Sequence, residues 1–341
     1  SKNRQGALHL PSGVSKNGQG APHRRPGVVI NEQGFLHYGR VRVKKLVHDS
    51  KRRLATWNIG TLTGKGMEIV HTMIRRKVNI ICLQETKWIG ERCREIENTG
   101  YKLYYTKKHK NRNGVEIIVH RNFKEYVVKV TRKGDRIISL KLIIEDNIIN
   151  IISAYAPQVG LDQQTKTQFW EDLDEVIQEI PQEEKIYIGG DFNGHVGKKR
   201  DGYEMVHGGY GFGDRNEAGV SILDFAVAYD LIIANTYFKK RDEHLITFKS
   251  RSNKSQIDFF LTRKVDKIAC KDCKVIPGES LTSQHRIMVA DIRIKIKVRA
   301  KHKIINPKIK WWNLKGEKLE LFKEKLVKDM TTNIDSDLNL M

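Results

Sequence analysis

The sequence predicts an α/β protein in which two β-sheets are covered by helices. Apolar and β-branched runs of strand length recur through most of the chain, and three amphipathic helices are interspersed among them. Several of the predicted strands nevertheless follow one another without a helix between them. That order favours two packed sheets over one parallel, doubly wound sheet.

The ordered part of the chain is predicted to begin with a strand, a helix and a second strand. Leu54–Asn58 is an apolar run of strand length. The apolar residues of Met67–Val78 recur at helical spacing. Asn79–Glu85 is another apolar run, and it ends in a polar cluster.

A β-rich stretch follows, and a long helix closes it. The predicted strands, all rich in β-branched residues, are Val115–Val119, Tyr126–Thr131, Arg136–Ile144 and Ile148–Tyr155. Asp146 and Asn147 lie between the last two strands and predict a hairpin turn. A helix with one apolar face runs from Phe169 to Ile180, and Pro181 ends it.

The second half of the chain mixes strands, a helix and a glycine-rich loop. The predicted strands are Lys185–Gly190, Leu231–Asn235, Gln256–Leu261 and His285–Val298. The last of them alternates apolar and basic residues, which is typical of a strand at a sheet edge. A capping-box pattern at Asp214 predicts a helix through Phe225. The glycine-rich residues 207–213 lack the Lys-Ser/Thr pair of a phosphate-binding loop, and they predict a flexible surface loop.

Composition predicts one domain between two basic flanks. Residues 1–50 hold nine Lys/Arg and two acids, show no sustained periodicity, and are predicted to be disordered. We expect the folded domain over residues 51–298. A basic linker and a C-terminal helical segment are expected over residues 299–341.

The net charge of +22, with a pI of about 9.7, predicts a polyanionic partner. DNA is the expected partner, RNA is a further candidate, and charge alone leaves an anionic membrane open. No apolar run approaches the roughly 20 residues of a membrane-spanning helix, and the N-terminus carries no apolar signal core. Four cysteines do not make a disulfide framework, and Cys270 and Cys273 have no partners at zinc spacing. We therefore expect a soluble intracellular monomer without a membrane partner, in the nucleus or shared between nucleus and cytoplasm.

Six candidate site residues lie at the ends of predicted apolar strands, and a seventh, Asp258, interrupts the strand Gln256–Leu261. The six are Asn58, Glu85, Tyr155, Asp191, Asn193 and His285. Each could simply cap its own strand. Strand ends of one sandwich share a rim, however, and together these side chains would form a site there. Gly189 and Gly190, just before Asp191, would let a substrate approach the backbone closely.

These residue types suit metal-assisted hydrolysis of a phosphodiester. Mg²⁺ is a hard cation that takes few protein oxygens, and Glu85 with Asn58 would supply them. Mn²⁺ is the substitute we consider. Asp191 and Asn193 are two residues apart on one strand, so we expect both to face the attacking water. Asp191 would activate that water, and Asn193 would hold it in line.

The remaining candidates suit stabilisation of the transition state. His285 would donate to a phosphate oxygen, and Asp258 would orient its imidazole and favour the charged form. Tyr155 would donate a further hydrogen bond to the phosphate.

Six short motifs, in this order, resemble those of the endonuclease/exonuclease/phosphatase superfamily. They are Thr56-Trp57-Asn58, Leu83-Gln84-Glu85-Thr86-Lys87, Ala154-Tyr155-Ala156-Pro157, Gly190-Asp191-Phe192-Asn193, Ile257-Asp258-Phe259-Phe260-Leu261 and Ser283-Gln284-His285-Arg286. The resemblance covers roughly Leu54 to Ile296. It implies a four-layer α/β sandwich with the site at one rim, and it implies the same roles for the seven candidate residues.

Within that superfamily, residues 191–197 and 212–219 resemble the endonuclease domain of non-LTR (LINE) retrotransposons of the RTE type. Craniofacial-development-protein-like chains belong to the same group. The likeness implies a Mg²⁺-dependent DNA endonuclease that leaves 3′-hydroxyl nicks.

The chain departs from the family pattern at two positions. Gln284 stands where the family usually has Asp before the active-site histidine, which implies weaker metal binding. Glu116 stands where a small residue is common, which predicts altered packing near the site.

Three other functions remain open. One is a phosphatase of the same superfamily that acts on a phosphoinositide, a sphingolipid or a nucleotide. Another is repair at abasic sites, which is disfavoured by Ser255 and Leu161 because the resemblance implies Trp and Arg there. The third is a catalytically decayed nucleic-acid-binding protein, which Gln284 favours.

Overall fold

The computed structural model describes residues 47–106, 113–251, 253–279, 281, 284–297 and 315–338. Its helices and strands are β1 Val47–Asn58, α1 Gly66–Arg76, β2 Ile80–Gln84, β3 Cys93–Glu95, β4 Lys102–Thr106, β5 Val115–Val119, β6 Val127–Lys133, β7 Ile137–Ile144, β8 Asn147–Tyr155, α2 Gln163–Gln178, β9 Lys185–Asp191, α3 Glu217–Ala228, β10 Leu231–Ile233, β11 Phe248–Ser250, β12 Asn253–Ser255, β13 Asp258–Arg263, β14 Cys270–Val275, β15 Met288–Lys297 and α4 Glu317–Leu338. The predicted disordered segment lies outside the described residues up to residue 46, and so does the predicted linker up to residue 314.

The strands form two mixed sheets and a separate hairpin. One sheet has the order β14-β15-β1-β2-β5-β4-β3, the other has the order β10-β13-β9-β8-β7-β6, and β11 pairs with β12 alone. β1 and β2 are parallel, as are β8 and β9. The remaining neighbours in the two sheets are antiparallel. The prediction of two sheets instead of one doubly wound sheet is confirmed.

Alternation along the strands creates the four layers. Successive side chains of a strand point to opposite faces of its sheet. On β2, Cys82 packs between the two sheets, whereas Ile81 packs in the cluster that includes α1. On β8, Ile151 packs between the sheets, whereas Ile152 packs with residues of α2 and α3. Three buried apolar clusters therefore separate two sheets and two outer helical layers, which confirms the predicted four-layer sandwich.

The last long strand does not lie at a sheet edge, so that prediction was wrong. β15 lies between β1 and β14, and β14 occupies the edge instead. The sequence did not predict β14 because its pairing with β15 shifts register between Cys270 and Asp272, which interrupts the two-residue period. Cys270 and Cys273 are both buried in the cluster between the sheets.

The glycine-rich residues 207–213 form a packed loop and not the free surface loop that we predicted. His207 is fully buried, its Nε2 lies 3.1 Å from the carbonyl oxygen of Gly197, and its Nδ1 accepts from the amide of Gly209 at 3.1 Å. A Cβ atom at Gly211 would overlap the carbonyl oxygen of Gly197. The glycines are thus needed for close backbone approach.

Helix α3 begins two residues later than predicted, because Asn216 and not Asp214 is its N-cap. The Oδ1 atom of Asn216 accepts from the amide of Gly219 at 2.8 Å and from the amide of His195 at 2.9 Å. One side chain therefore caps the helix and ties it to the loop that follows β9. Within the described ranges, no helix is both long enough and apolar enough to cross a membrane.

Candidate active site

The seven candidate residues meet at one rim of the sandwich. In the first sheet β1 and β2 end together, because Asn58 pairs with Gln84. In the second sheet Tyr155 and Asp258 both pair with Asp191, one on each side. The others lie close to a strand end: Glu85 after β2, Asn193 after β9 and His285 before β15.

Asn58 links the two sheets across this rim. Its Nδ2 donates to Glu85 Oε1 at 2.8 Å and to Asp191 Oδ2 at 2.9 Å. Its Oδ1 accepts from the amide of Gly60 at 3.1 Å. The Asn58 oxygen thus accepts one backbone hydrogen bond, and its Nδ2 orients two carboxylates. Of the two predicted metal ligands, Glu85 is the one that offers a carboxylate.

Glu85 is held by its partners in a left-handed backbone conformation, with φ of 55°. Its Oε1 also accepts from the hydroxyl of Tyr155 at 2.9 Å, and its Oε2 lies 3.9 Å from Lys87 Nζ. The Glu85 side chain is 21% exposed, so it reaches the open part of the rim. Burial and the Glu85 carboxylate raise the pKa of Tyr155, which keeps its hydroxyl a donor.

Asn193 does not face the same point as Asp191, in contrast to our expectation. β9 ends at Asp191, and Asn193 has a left-handed φ of 49°, so the strand alternation does not extend to it. Its amide donates to Asp191 Oδ1 at 3.0 Å, and its Nδ2 donates to the carbonyl of Ala156 at 2.8 Å. Asn193 thus fixes the Asp191 carboxylate and joins β9 to the loop after β8.

His285 lies between two buried carboxylates. Its Nδ1 is 3.1 Å from Asp258 Oδ2, and its Nε2 is 3.7 Å from Asp191 Oδ2. The ring of Phe248 meets the imidazole edge to face at 4.9 Å between ring centroids. Trp57 Nε1 donates to the His285 carbonyl at 3.2 Å. The imidazole is therefore fixed on several sides.

The charges of these groups depend on one another. Burial raises the pKa of Asp191 to about 7, and the Asp258 carboxylate adds to the shift. Burial opposes the charged form of His285, but Asp258 and Asp191 outweigh it and raise the pKa of His285 to about 9. Because these groups adjoin, they titrate together. Near neutral pH the imidazole holds its proton, and Asp191 lies close to the pKa that suits a general base.

Two polar residues that the sequence did not single out position Asp258. Thr247 Oγ1 accepts from the amides of Ile257 at 3.0 Å and Asp258 at 3.1 Å. Asn235 accepts from the amide of Phe260 at 3.1 Å and donates to the Asp258 carbonyl at 3.2 Å. Asn235 ended a predicted strand and so carried the same signal as the chosen residues, whereas Thr247 carried none.

Gly189 and Gly190 serve strand packing and not substrate approach. Both are buried in β9. A Cβ at Gly189 would lie 2.6 Å from the ring of Phe260, and a Cβ at Gly190 would overlap the carbonyl oxygen of Ala154. The glycines let the neighbouring strands draw close, which brings Asp191 beside Asp258 and Tyr155.

The two departures from the family pattern lie in different environments. Gln284 is exposed at the rim, and its Nε2 lies 3.4 Å from Ser250 Oγ. Glu116 is fully buried in β5, where it pairs with Leu83 and Tyr105. Gln284 therefore bears on the site directly, whereas Glu116 belongs to the sheet interior.

The ligand chemistry at the rim fits a hard divalent cation. Glu85 offers a carboxylate that is partly exposed. Asp191, Asp258 and His285 place one ligand-type atom each within 4.8 Å of one another, but these atoms already contact each other. Oxygen donors are those that Mg²⁺ prefers, so the Glu85 side of the rim suits this ion.

Comparison with known proteins gives matches of three kinds. The model of the Endonuclease/Exonuclease/phosphatase family matches residues 55–233. Craniofacial development protein 2 of Tragulus javanicus is 29% identical over 249 residues, which make up 72% of this chain and 43% of that protein. The protein of that name from Bos taurus is 28% identical, over 72% of this chain and 41% of its own length. This chain thus spans less than half the length of these curated relatives.

Solved structures with the same fold include nucleases. An AP endonuclease from Archaeoglobus fulgidus has a TM-score of 0.53 at 18% identity, over 71% of this chain and 99% of that one. The endonuclease domain of TRAS1, a telomere-specific non-LTR retrotransposon, has a TM-score of 0.53 at 18% identity, over 71% of this chain and 98% of that one. At these identities the likeness shows the fold alone.

Proposed function

The chain belongs to the Endonuclease/Exonuclease/phosphatase family, and from that premise we propose that it is a metal-dependent endonuclease that nicks DNA and leaves a 3′-hydroxyl. The family confirms the broader prediction of a phosphodiester hydrolase. The contact set Asp258–His285–Asp191 carries the proposal, because it joins a carboxylate of raised pKa to a charged imidazole at the rim.

Each residue has a distinct task in this proposal. Asp191 takes the proton of the attacking water, and Asn193 holds the Asp191 carboxylate in place. His285 donates to a phosphoryl oxygen and stabilises the charge that develops there, while Asp258 keeps the imidazole charged and oriented.

The Glu85 side of the rim would hold Mg²⁺, or Mn²⁺ in its place. The bound ion would polarise the phosphate and stabilise the leaving oxygen. Asn58 and Tyr155 both donate to Glu85 Oε1, so they orient this carboxylate. We therefore assign Tyr155 to Glu85, in preference to the phosphate contact inferred from the sequence.

Positive charge near the imidazole supports a polyanionic substrate. The β11–β12 hairpin contacts His285 through Phe248 and exposes Lys249, Arg251 and Lys254. With the net charge of +22, this favours DNA, and RNA is the related alternative. A chain that cuts chromosomal DNA would act in the nucleus.

A plasmid assay tests the proposal. Purified chain is mixed with supercoiled plasmid and Mg²⁺, and the nicked product is treated with a polymerase that extends only 3′-hydroxyl ends. We expect extendable nicks from the wild type and their loss in Asp191→Asn. Glu183→Gln, a matched exposed change, should nick normally.

Other results would favour the alternatives. An intact plasmid together with rapid hydrolysis of a phosphoinositide or a nucleotide monoester would favour a phosphatase. Salt-sensitive DNA binding without hydrolysis of any substrate would favour a decayed binding protein. Nicking by Asp191→Asn at the wild-type rate would exclude the proposed mechanism.

A further inference from the structure

A hollow of about 380 Å³ opens on the Glu85 side of the rim. Asn58, Glu85, Gln284 and His285 line it, and so does Lys65. Neither Asp191 nor its neighbours after β9 are among the lining residues. The hollow is thus on the metal side of the proposed site, away from the carboxylate that handles water.

Lys65 is fixed in this wall by its backbone and by its side chain. Its amide donates to the carbonyl of Leu62 at 2.9 Å, and its own carbonyl accepts from the amide of Ile69 at 3.0 Å in the first turn of α1. Its Nζ donates to the carbonyl of Ile59 at 2.8 Å. That acceptor is neutral, and among the described residues Lys65 forms no salt bridge, although the Glu68 carboxylate attracts its charge. Burial lowers the pKa of Lys65, and the amino group keeps two further N–H donors when it is protonated.

The chemistry of the cut places a particular phosphate beside this charge. In a cut that leaves a 3′-hydroxyl, the water oxygen bonds to phosphorus, the P–O3′ bond breaks, and O3′ takes up a proton. Attacking and leaving oxygens are in line, on opposite sides of the phosphorus. With water on the Asp191 side, O3′ and its nucleotide lie on the side of the hollow.

We propose that Lys65 binds the phosphate one nucleotide upstream of the scissile one, on the 5′ side. This inference rests on the proposed function and deepens it, because it gives the site a contact that only a polymeric substrate can make. Lys65 would then be a specificity residue that favours nucleic acid over an isolated phosphate ester.

Substrate modification isolates the contact. A neutral methylphosphonate replaces the phosphate immediately 5′ of the cut in a defined DNA duplex, and kcat/KM is measured for wild type and Lys65→Met. Each change alone should lower kcat/KM about tenfold, the usual range for one charge-assisted hydrogen bond. The variant acting on the modified substrate should have a kcat/KM only slightly lower than that found with either change alone, because both changes remove the same contact.

Three controls distinguish loss of the contact between Lys65 and the upstream phosphate from a general loss of activity. Lys102→Met, at the opposite end of the first sheet, should cleave like wild type. A methylphosphonate on the 3′ side of the cut should affect wild type and Lys65→Met equally. Both proteins should hydrolyse bis(p-nitrophenyl) phosphate at the same rate, since that ester has no upstream phosphate.

A binding measurement gives a readout besides activity. In EDTA, Lys65→Met should reduce the slope of log affinity against log salt by about 1, as expected for one lost phosphate contact. If DNA is cut but the effects of the Lys65→Met change and of the methylphosphonate on kcat/KM multiply, the Lys65 inference is overturned and the proposed function stands. If the wild type hydrolyses bis(p-nitrophenyl) phosphate but cuts no DNA, both fail.

Discussion

At the residue scale, the buried pair of Asp258 and His285 sets the charge of the site. Burial alone would strip the imidazole of its proton, and the Asp258 contact at 3.1 Å reverses that preference. Without the Asp258 carboxylate the pKa of His285 falls, because only Asp191 and Glu85 then oppose the effect of burial. A smaller fraction of the imidazole would then be charged and able to stabilise negative charge.

Asp258→Asn tests that argument. We expect the single-turnover nicking rate to fall by about 100- to 10,000-fold, the range for loss of acid–base function. The imidazole titration, followed by NMR in metal-free protein, should move to lower pH in the same variant. Asp174→Asn on α2 is the control and should leave both unchanged. A rate within about threefold of wild type would contradict the assigned role.

Gln284→Asp restores the acid that resemblance places before the histidine. Gln284 and Glu85 line the same hollow, so a carboxylate there would add a second oxygen ligand. We expect the Mg²⁺ concentration for half-maximal nicking to fall several-fold, with stability unchanged because residue 284 is exposed. Gln164→Asp, exposed on α2, is the matched control. An unchanged Mg²⁺ requirement would show that Gln284 does not limit metal binding.

The sequence predicted which residues gather at the rim better than how they contact one another. A polar residue at an apolar strand end is visible in the sequence, and Asn58, Glu85 and Asp191 were found that way. Contact partners depend on local backbone angles and on the other sheet. The left-handed φ of Asn193 and the Tyr155–Glu85 bond are set by such tertiary context, and no sequence period encodes them.

At the element scale, close strand packing positions Asp191. Gly190→Ala would press a Cβ into the carbonyl of Ala154 and push β9 away from β8. We expect about 1–3 kcal/mol lower unfolding free energy, as for other overpacked sites, together with a loss of nicking because Asp191 is the next residue. Thermal unfolding and the plasmid assay measure the two effects.

Gly278→Ala is the matched control for that change. It is the same substitution in a loop where an added Cβ would meet nothing within 4 Å, so it should alter stability by no more than about 0.5 kcal/mol. Equal stability of the two variants would contradict the packing role of Gly190.

His207, buried in the glycine-rich loop, is predicted to make a contribution to the unfolding free energy that is lost at acid pH. Burial lowers the pKa of His207 to about 4, and the charges of Arg215 and Arg200 add to the shift, while the Gly197 carbonyl opposes it. The unfolded chain binds a proton near pH 6.5 and the folded chain only near pH 4, so this stability is full above 6.5 and is lost as pH falls towards 4. Between pH 7 and 5, wild type should lose on the order of 1–2 kcal/mol more unfolding free energy than His207→Gln. Urea titrations at both pH values measure the difference, and equal losses would exclude a role for His207.

Strand prediction succeeded where a two-residue period or a continuous apolar run reports burial, as in β2, β5, β7 and β8. It failed for β14, whose register shift interrupts the period, and for β4, where the adjacent residues Leu103 and Tyr104 are both buried. It also failed for the three-residue strands β3, β11 and β12, which are too short to show a period. The prediction that β15 lies at a sheet edge was wrong because β14, its neighbour on one side, was not predicted.

At the scale of the whole molecule, the sandwich makes one site from residues that are far apart in the chain. Asn58 of the first sheet donates to Asp191 of the second, so the two sheets are joined by a hydrogen bond at the rim itself. Gln84 Nε2 donates to Ser153 Oγ at 3.0 Å and makes a second, fully buried polar link between the sheets. Relative movement of the sheets would break both links, so the fold holds the site in register.

Positive charge, in contrast, is not confined to the site, because the N-terminal residues of the chain are also basic. This distribution gives a prediction for DNA binding by the whole chain. Residues 1–44 hold eight Lys/Arg and one acid, and their removal leaves every described strand intact, since the first of these begins at Val47. If they neutralise DNA phosphates, a chain of residues 45–341 should bind DNA with a salt slope smaller by about 2–5, at roughly 0.9 per phosphate. Its nicking rate at saturating DNA should match that of the full chain, because every candidate site residue lies between Asn58 and His285. Affinity measured from 50 to 200 mM salt decides the point: equal slopes would place the DNA-binding charge within the folded domain, and a slower saturated rate would show that the segment acts in the cut itself.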